Sequence, residues 1–367
     1  METAKPELND LSNNPSWKRI TRFVLTLIIL IIYVFYVRFV IANDRGPVDY
    51  EIFMEIGGRF LNHQPVYVEN SYYPLPYVMV FAFFVWLPRP LGILVWFLAP
   101  IVAVLIIARW KPGLLLFAPV ISHFLGGQTA LPAMLGLWGY RSRRQPDDLW
   151  GGVWLAVITF KPQLVIFPAA WAAWQWLQYF RSNKRVPLQA WGFLCTSALI
   201  YLPSFILQPG WVGEWMSTPR PLFERALAGF IPRSLMYIIS PSNMLYWIVL
   251  LLLSVGMFIL IWWKNGRKFT FDLFMASSFI INPLAHDYDL IQLVPLLDSK
   301  KMLQTALLIS IPAWLVILFA YQEDKAWFLF TLIPPVIAWK MLKQRAQGQD
   351  FDPQSRRTAT DEASEVQ

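Results

Sequence analysis

Residues 43–72 read NDRGPVDYEIFMEIGGRFLNHQPVYVENSY. This stretch is the first long polar interruption between two apolar runs. It carries Asp44, Asp49, Glu51, Glu55 and Glu69 against only Arg45 and Arg59, while the whole chain of 367 residues has a net charge of +8. Acid concentrated in one loop of a basic protein marks it as the place to look for chemistry. Val48, Ile52, Ile56 and Phe60 recur every fourth residue, with Glu51, Glu55 and Arg59 opposite. That period predicts an amphipathic helix lying on a membrane surface, locally weakened at Gly57-Gly58.

The runs around the loop decide the class. Hydrophobic residues make up 56% and charged residues 15% of the chain, where soluble domains carry about 25% charged residues. Several apolar runs approach the roughly 20 residues that cross a bilayer. They lack the alternation of a barrel strand, so the reading is an all-α polytopic membrane protein. Cys195 is the single cysteine, which excludes an internal disulfide and argues against cysteine-based metal or redox chemistry. The positive charge follows the short-loop pattern of membrane topology and calls for no nucleic-acid partner. No small-residue cleavage pattern follows residue 42, so the first helix is expected to be an uncleaved anchor.

Topology follows from the basic residues. Lys18, Arg19 and Arg22 precede the first run, which places 1–16 in the cytoplasm as a disordered segment and 43–72 outside. Pro88-Arg89-Pro90 reads as an inner turn. Arg109 and Lys111 then fall outside, against the rule. Residues 113–140, interrupted at Gly126-Gly127, read as one broken crossing to Arg141, Arg143 and Arg144 inside, with a re-entrant hairpin as the alternative. Continuing the alternation gives a second external loop at 208–240, about twelve crossings within a membrane domain of 17–342, and a disordered cytoplasmic tail at 343–367. No internal repeat is visible.

Four polar features remain once sides are assigned: Asp49 in the acidic loop, the Gly127-Gln128 break, Lys161-Pro162, and Asn282-Pro283 followed by His286. Lys161 and His286 fall at outer helix ends, so carboxylate, amine and imidazole can converge on one external surface. Ionisable groups at membrane depth are costly and mark function. Each has a plainer explanation. Asp49 can cap the surface helix, Lys161 can snorkel to the interface, His286-Asp287-Tyr288-Asp289 can be a solvated turn, and the glycines can serve helix packing. Asp147-Asp148 reads as a helix cap, and Glu55 with Arg59 as an i,i+4 pair.

In order and spacing these pieces resemble the GT-C membrane glycosyltransferases of the glycosyltransferase family 87 type. The matching residues are Asp49-Tyr50, Gln64-Pro65-Val66-Tyr67, Tyr73-Pro74-Leu75-Pro76, Gly127-Gln128, Lys161-Pro162, and Asn282-Pro283 with His286 and Tyr288. The family more often has Tyr-Pro-Pro at residue 73 and Asn after Gly-Gln, departures that leave the transferred sugar open. The resemblance implies a GT-C-like bundle in a bacterial plasma membrane with its active site on the outer face. It also implies a polyprenyl-phosphate-linked hexose donor, mannose foremost, and a lipid or glycan acceptor. Asp49 would be the general base, with Asp44 its rival. Lys161, His286, Gln128, Tyr73 and Tyr288 would bind substrate, Lys161 meeting the donor phosphate. The first loop has no Asp-x-Asp pattern, so no metal or other cofactor is expected. Two other classes compete: a lipid or glycolipid flippase, which would show inverted repeats, and a non-catalytic assembly subunit.

Overall fold

A computed structural model describes residues 15–43, 46–68, 71–109, 111–218, 244–282, 284–319 and 329–346. The described residues are helical, with no strand among them. Helices α1 (Pro15–Ala42), α2 (Val48–Leu61), α3 (Leu75–Trp86) and α4 (Arg89–Ile107) lead to a 3-10 turn at Pro112–Leu116. Then follow α5 (Ala118–Leu125), α6 (Leu131–Ser142), α7 (Leu149–Ile158), α8 (Pro162–Asn183), α9 (Leu188–Leu207) and α10 (Trp211–Ser217). After residue 243 come α11 (Met244–Lys264), α12 (Phe271–Ile281), the 3-10 segment Asp287–Leu296, α13 (Lys300–Phe319) and α14 (Ile333–Ala346).

Local chemistry sets several of these starts. Pro90 and Pro162 sit in first turns, where no N–H is needed. Asp148 caps α7 by accepting from Trp150 N–H at 2.9 Å, as its sequence position implies. Among the described residues, α4, α9 and α13 are long and apolar enough to cross a membrane. Large side chains such as Phe35 on α1, Leu199 on α9 and Leu318 on α13 stay exposed. Continuous apolar surface of that kind fits lipid rather than water.

Helix α2 stands where the periodicity predicts, but its buried face is Tyr50, Phe53, Ile56 and Gly57, while Val48 is 76% exposed. Of the Val48, Ile52, Ile56 and Phe60 stripe only Ile56 is fully buried, and the helix packs on α3. The contact requires Gly57, because a Cβ there would lie 2.6 Å from the Phe81 carbonyl carbon. Phe53 then stacks on Phe81 at 4.9 Å. Glu55 and Arg59 pair at 2.9 Å as expected.

Two turns lie elsewhere than the charge alternation put them. Arg89 pairs with Glu51 at 2.8 Å, so the 87–90 turn shares an end with the start of α2 rather than facing it across the molecule. Lys111 Nζ donates to Asp298 O at 2.5 Å, and Arg141 pairs with Asp298 at 3.0 Å and Asp272 at 2.5 Å. Residues 112–142 therefore leave and return at one end, as a hairpin of two short helices broken at Gly126-Gly127. Lys111 therefore lies at the same end of the molecule as Arg141 and Asp298. The chain from Asp272 to Asp298 makes a similar reversal, with both feet clamped on Arg141. Helix α7 has only 10 residues, about half a crossing, so the α7–α8 turn also lies partway through the molecule.

At the C-terminal side α14 continues to Ala346, with Gln344 buried, so the ordered part reaches past the expected boundary at 343. The rest of the expected disordered segments, 1–14 and 347–367, and most of the 208–240 loop lie outside the described residues.

Candidate functional site

Three chain reversals meet beside the first turn of α2. In the first, Gly127 has φ of +61°, a left-handed conformation that glycine adopts without steric cost. The turn wedges between α2 and α4: a Cβ on Gly127 would lie 3.0 Å from Tyr50 Cβ. Trp96 Nε1 donates to Gly127 O at 2.8 Å, Tyr77 Oη donates to Thr129 O, and Ala130 N–H donates to His123 Nε2 at 3.1 Å. So pinned, the turn presents Gln128, whose Nε2 donates to Asp49 Oδ2. Thr129 Oγ1 donates to Tyr73 Oη at 3.2 Å.

The second reversal is Thr159–Lys161 and the third is 282–289. They are stapled twice. Asn282 Nδ2 donates to Gln163 O at 2.9 Å, and Lys161 Nζ lies 2.5 Å from Asp289 Oδ1. The Lys161 ammonium also stands 4.6 Å from the centre of the Tyr288 ring, a favourable cation–π placement. His286 stacks on Tyr288 with 5.2 Å between centroids. Ser122 Oγ donates to Asp287 Oδ2 and joins the first reversal to the third. Tyr77, whose hydroxyl donates to Thr129 O, stands 5.5 Å ring to ring from Phe160, the neighbour of Lys161 in sequence, so the carboxylate group and the amine group border one another.

No family model, curated protein or solved structure matches the chain.

Asp49, Gln128 and Tyr73 fall into one cluster, and Lys161, His286 and Tyr288 into the adjoining one. Asp44 and Pro283 lie outside the described residues. The plainer explanations fare unevenly. Asp49 does not cap α2, since Pro47 holds the cap position and no side chain caps that helix. Lys161 does not snorkel: it is 2% exposed and ion-paired. His286-Asp287-Tyr288-Asp289 does start a helical segment, with Asp289 Oδ2 accepting from His286 N–H at 3.0 Å, but its two carboxylates are buried rather than solvated, with His286 and Tyr288 half-buried.

Sequence reasoning missed Asp289 as the partner of Lys161, the Ser122–Asp287 contact, and Thr129 as the link between Gln128 and Tyr73. The first signal was present in the same tetrapeptide as His286: two further carboxylates at a turn between apolar runs need buried partners. Asp287 lies in that turn, outside every helix long enough to cross a membrane. Burial pushes its carboxyl up to about 7, against the opposing effect of the Ser122 hydroxyl. Among the described residues no group of three or more His, Cys, Asp or Glu side chains is placed to hold a metal ion.

Proposed function

We propose that the chain is an integral-membrane glycosyltransferase that moves a hexose, mannose foremost, from a polyprenyl-phosphate donor to an acceptor hydroxyl. What carries the reading is the Asp49 carboxylate, held by Gln128 beside a buried lysine and a half-buried histidine and tyrosines. A base, a set of hydroxyl and amide donors, and a cation at one place are what glycosyl transfer to an alcohol needs.

In the proposed reaction the acceptor oxygen attacks the anomeric carbon from the face opposite the phosphate. The new C–O bond forms as the bond from that carbon to the phosphate oxygen breaks, inverting the centre. The hydroxyl proton passes to Asp49, and polyprenyl phosphate leaves as an anion that needs no general acid. Negative charge then grows on the phosphate, where Lys161, His286 and Tyr288 supply charge and donors. Lys161 starts paired with Asp289, so it reaches the phosphate by exchanging or sharing that partner. No metal enters this scheme.

Lys111, Arg141, Arg143 and Lys300 would mark the cytoplasmic side, leaving α2 and Asp49 toward the outer face. The twelve crossings expected from charge alternation become fewer in this topology, since α2–α3, α5–α6 and 272–298 each return to the side they left. Buried charges at chain reversals also occur in transporters, which keeps a flippase as the second reading. Purified full-length protein, given a panel of polyprenyl-phospho-sugars and cell-envelope acceptors, decides between them. Sugar transfer that is lost in Asp49→Asn supports the enzyme, whereas lipid movement without transfer supports the flippase.

A further inference from the structure

His123 stands on the last turn of α5 and is 1% exposed. It grips the Gly127-Gln128 turn twice. Its main-chain oxygen accepts the Gln128 N–H at 3.0 Å, and its Nε2 accepts the Ala130 N–H at 3.1 Å. The preceding residue is fastened too, since Ser122 Oγ donates to Asp287 Oδ2. The imidazole therefore works from a fixed helix end.

A backbone N–H only donates, so Nε2 must be bare and the ring neutral, with its proton on Nδ1. Nδ1 is buried and has no hydrogen-bond partner among the described residues, which is costly. An apolar side chain would fill the space without that cost, so packing alone does not account for a histidine here. Holding the Ala130 N–H does. The far end of Gln128 is set by a second feature. A Cβ on Gly126 would lie 2.8 Å from Gln128 Nε2 and 3.1 Å from its Cγ, so the side chain folds back across Gly126 on its way to Asp49 Oδ2.

We propose that His123 is a positioning residue for Asp49, acting through the turn that carries Gln128. By fixing residues 128 and 130 it fixes where the amide meets the carboxylate. A hydrogen-bond donor on a carboxylate favours the ionised form, which is the form able to take a proton. The catalytic meaning of this role rests on the transferase reading.

The test reads Asp49 itself and then turnover. Full-length protein in lipid nanodiscs is treated at neutral pH with dicyclohexylcarbodiimide, which attacks protonated carboxyl groups, and modification of Asp49 is measured by peptide mass spectrometry. His123→Phe keeps a ring without the acceptor, and His123→Asn puts its amide where Nδ1 stands. Each should raise Asp49 modification by about threefold to tenfold. His123→Gln can place an oxygen where Nε2 stands and should return most of the way to the parent value. Gly126 has an ordinary helical φ of −80°, so Gly126→Ala displaces mainly the flexible Gln128 side chain and should raise modification as well. Gln128→Leu should do the same, and adding His123→Phe to it should change nothing further. With donor and acceptor supplied, His123→Phe and His123→Asn should lower kcat by about tenfold to a hundredfold at an unchanged donor KM. Unchanged Asp49 modification in both His123 variants, or a further rise on top of Gln128→Leu, overturns the assignment. Transfer at the parent rate by both variants would sink it and keep the enzyme. The expected pattern of modification in a protein that transfers from no donor would keep His123 as the residue that sets Gln128 on Asp49 and overturn the transferase.

Discussion

Lys161 and Asp289, 128 positions apart in sequence, form an ion pair at 2.5 Å with side chains 2% and 0% exposed. The pair ties the α7–α8 turn to the turn after α12, and Tyr288 covers the ammonium. Lys161 is therefore as much a fastening of the site as a charge offered to a substrate.

That double role gives the first prediction. Breaking one side of a buried pair leaves an uncompensated charge and costs about 3–5 kcal/mol. Lys161→Met and Asp289→Leu should each lower the thermal midpoint in detergent, and the double variant should recover much of the loss. If the singles unfold like the parent protein, the pair is not holding the turns. Donor affinity in the double variant reads the other role: a stable double variant that binds donor normally would leave Lys161 as a fastening alone.

The base is tested by Asp49→Asn, which keeps the shape and cannot take a proton. Turnover should fall by about two to four orders of magnitude with donor binding little changed. Near-normal transfer by Asp49→Asn, with Asp44→Asn inactive, would move the base to Asp44.

A matched pair of glycines tests the α2–α3 contact. Gly57→Ala places a Cβ against the Phe81–Ala82 backbone, which cannot yield as a side chain can, at a cost of about 1–3 kcal/mol. Gly58 has open space around its Cβ position, so Gly58→Ala should stabilise the helix by up to about 1 kcal/mol. Opposite signs in the unfolding midpoints are expected, and activity should follow Gly57 because Asp49 rides on the same helix.

Sidedness is read with cysteines in a Cys195→Ser background. Asn62→Cys should react with a membrane-impermeant thiol reagent in intact cells, and Arg109→Cys only after lysis. Labelling of both in intact cells would return the 109–111 turn to the outer side and undo the hairpin topology.

Asp287 sets a pH dependence. Its carboxyl titrates near 7 when folded and about 3.9 when unfolded, so the folded state holds the proton more tightly. Stability from this group is complete below about 4 and is lost as pH rises through about 7. The thermal midpoint should fall over that range, and Asp287→Asn should flatten the slope. A wild-type midpoint that rises from pH 4 to 7 would contradict the burial of Asp287.

Composition and pattern alone determined that the protein is helical and rich in apolar helices, that a helix starts near Val48, that Gly126-Gly127 breaks the chain, and that Asp148 caps α7. These are local properties: apolar content, a period near four, a glycine pair and a cap act within a few residues, and a linear chain displays them. The candidate residues Asp49, Gln128, Tyr73, Lys161, His286 and Tyr288 were also legible, as polar groups standing out against apolar runs.

Only the tertiary structure decided which of them touch and at which end each turn lies. Arg89 read as an inner turn because charge alternation counts every apolar run as a crossing, whereas α3 has 12 residues and folds back on α2 through Gly57. Lys161 read as a phosphate ligand or an interface anchor because nothing in sequence couples it to Asp289 across 128 positions. A buried charge needs a partner, but its identity depends on where three separate chain reversals meet, and that is set by packing between helices rather than by any one of them.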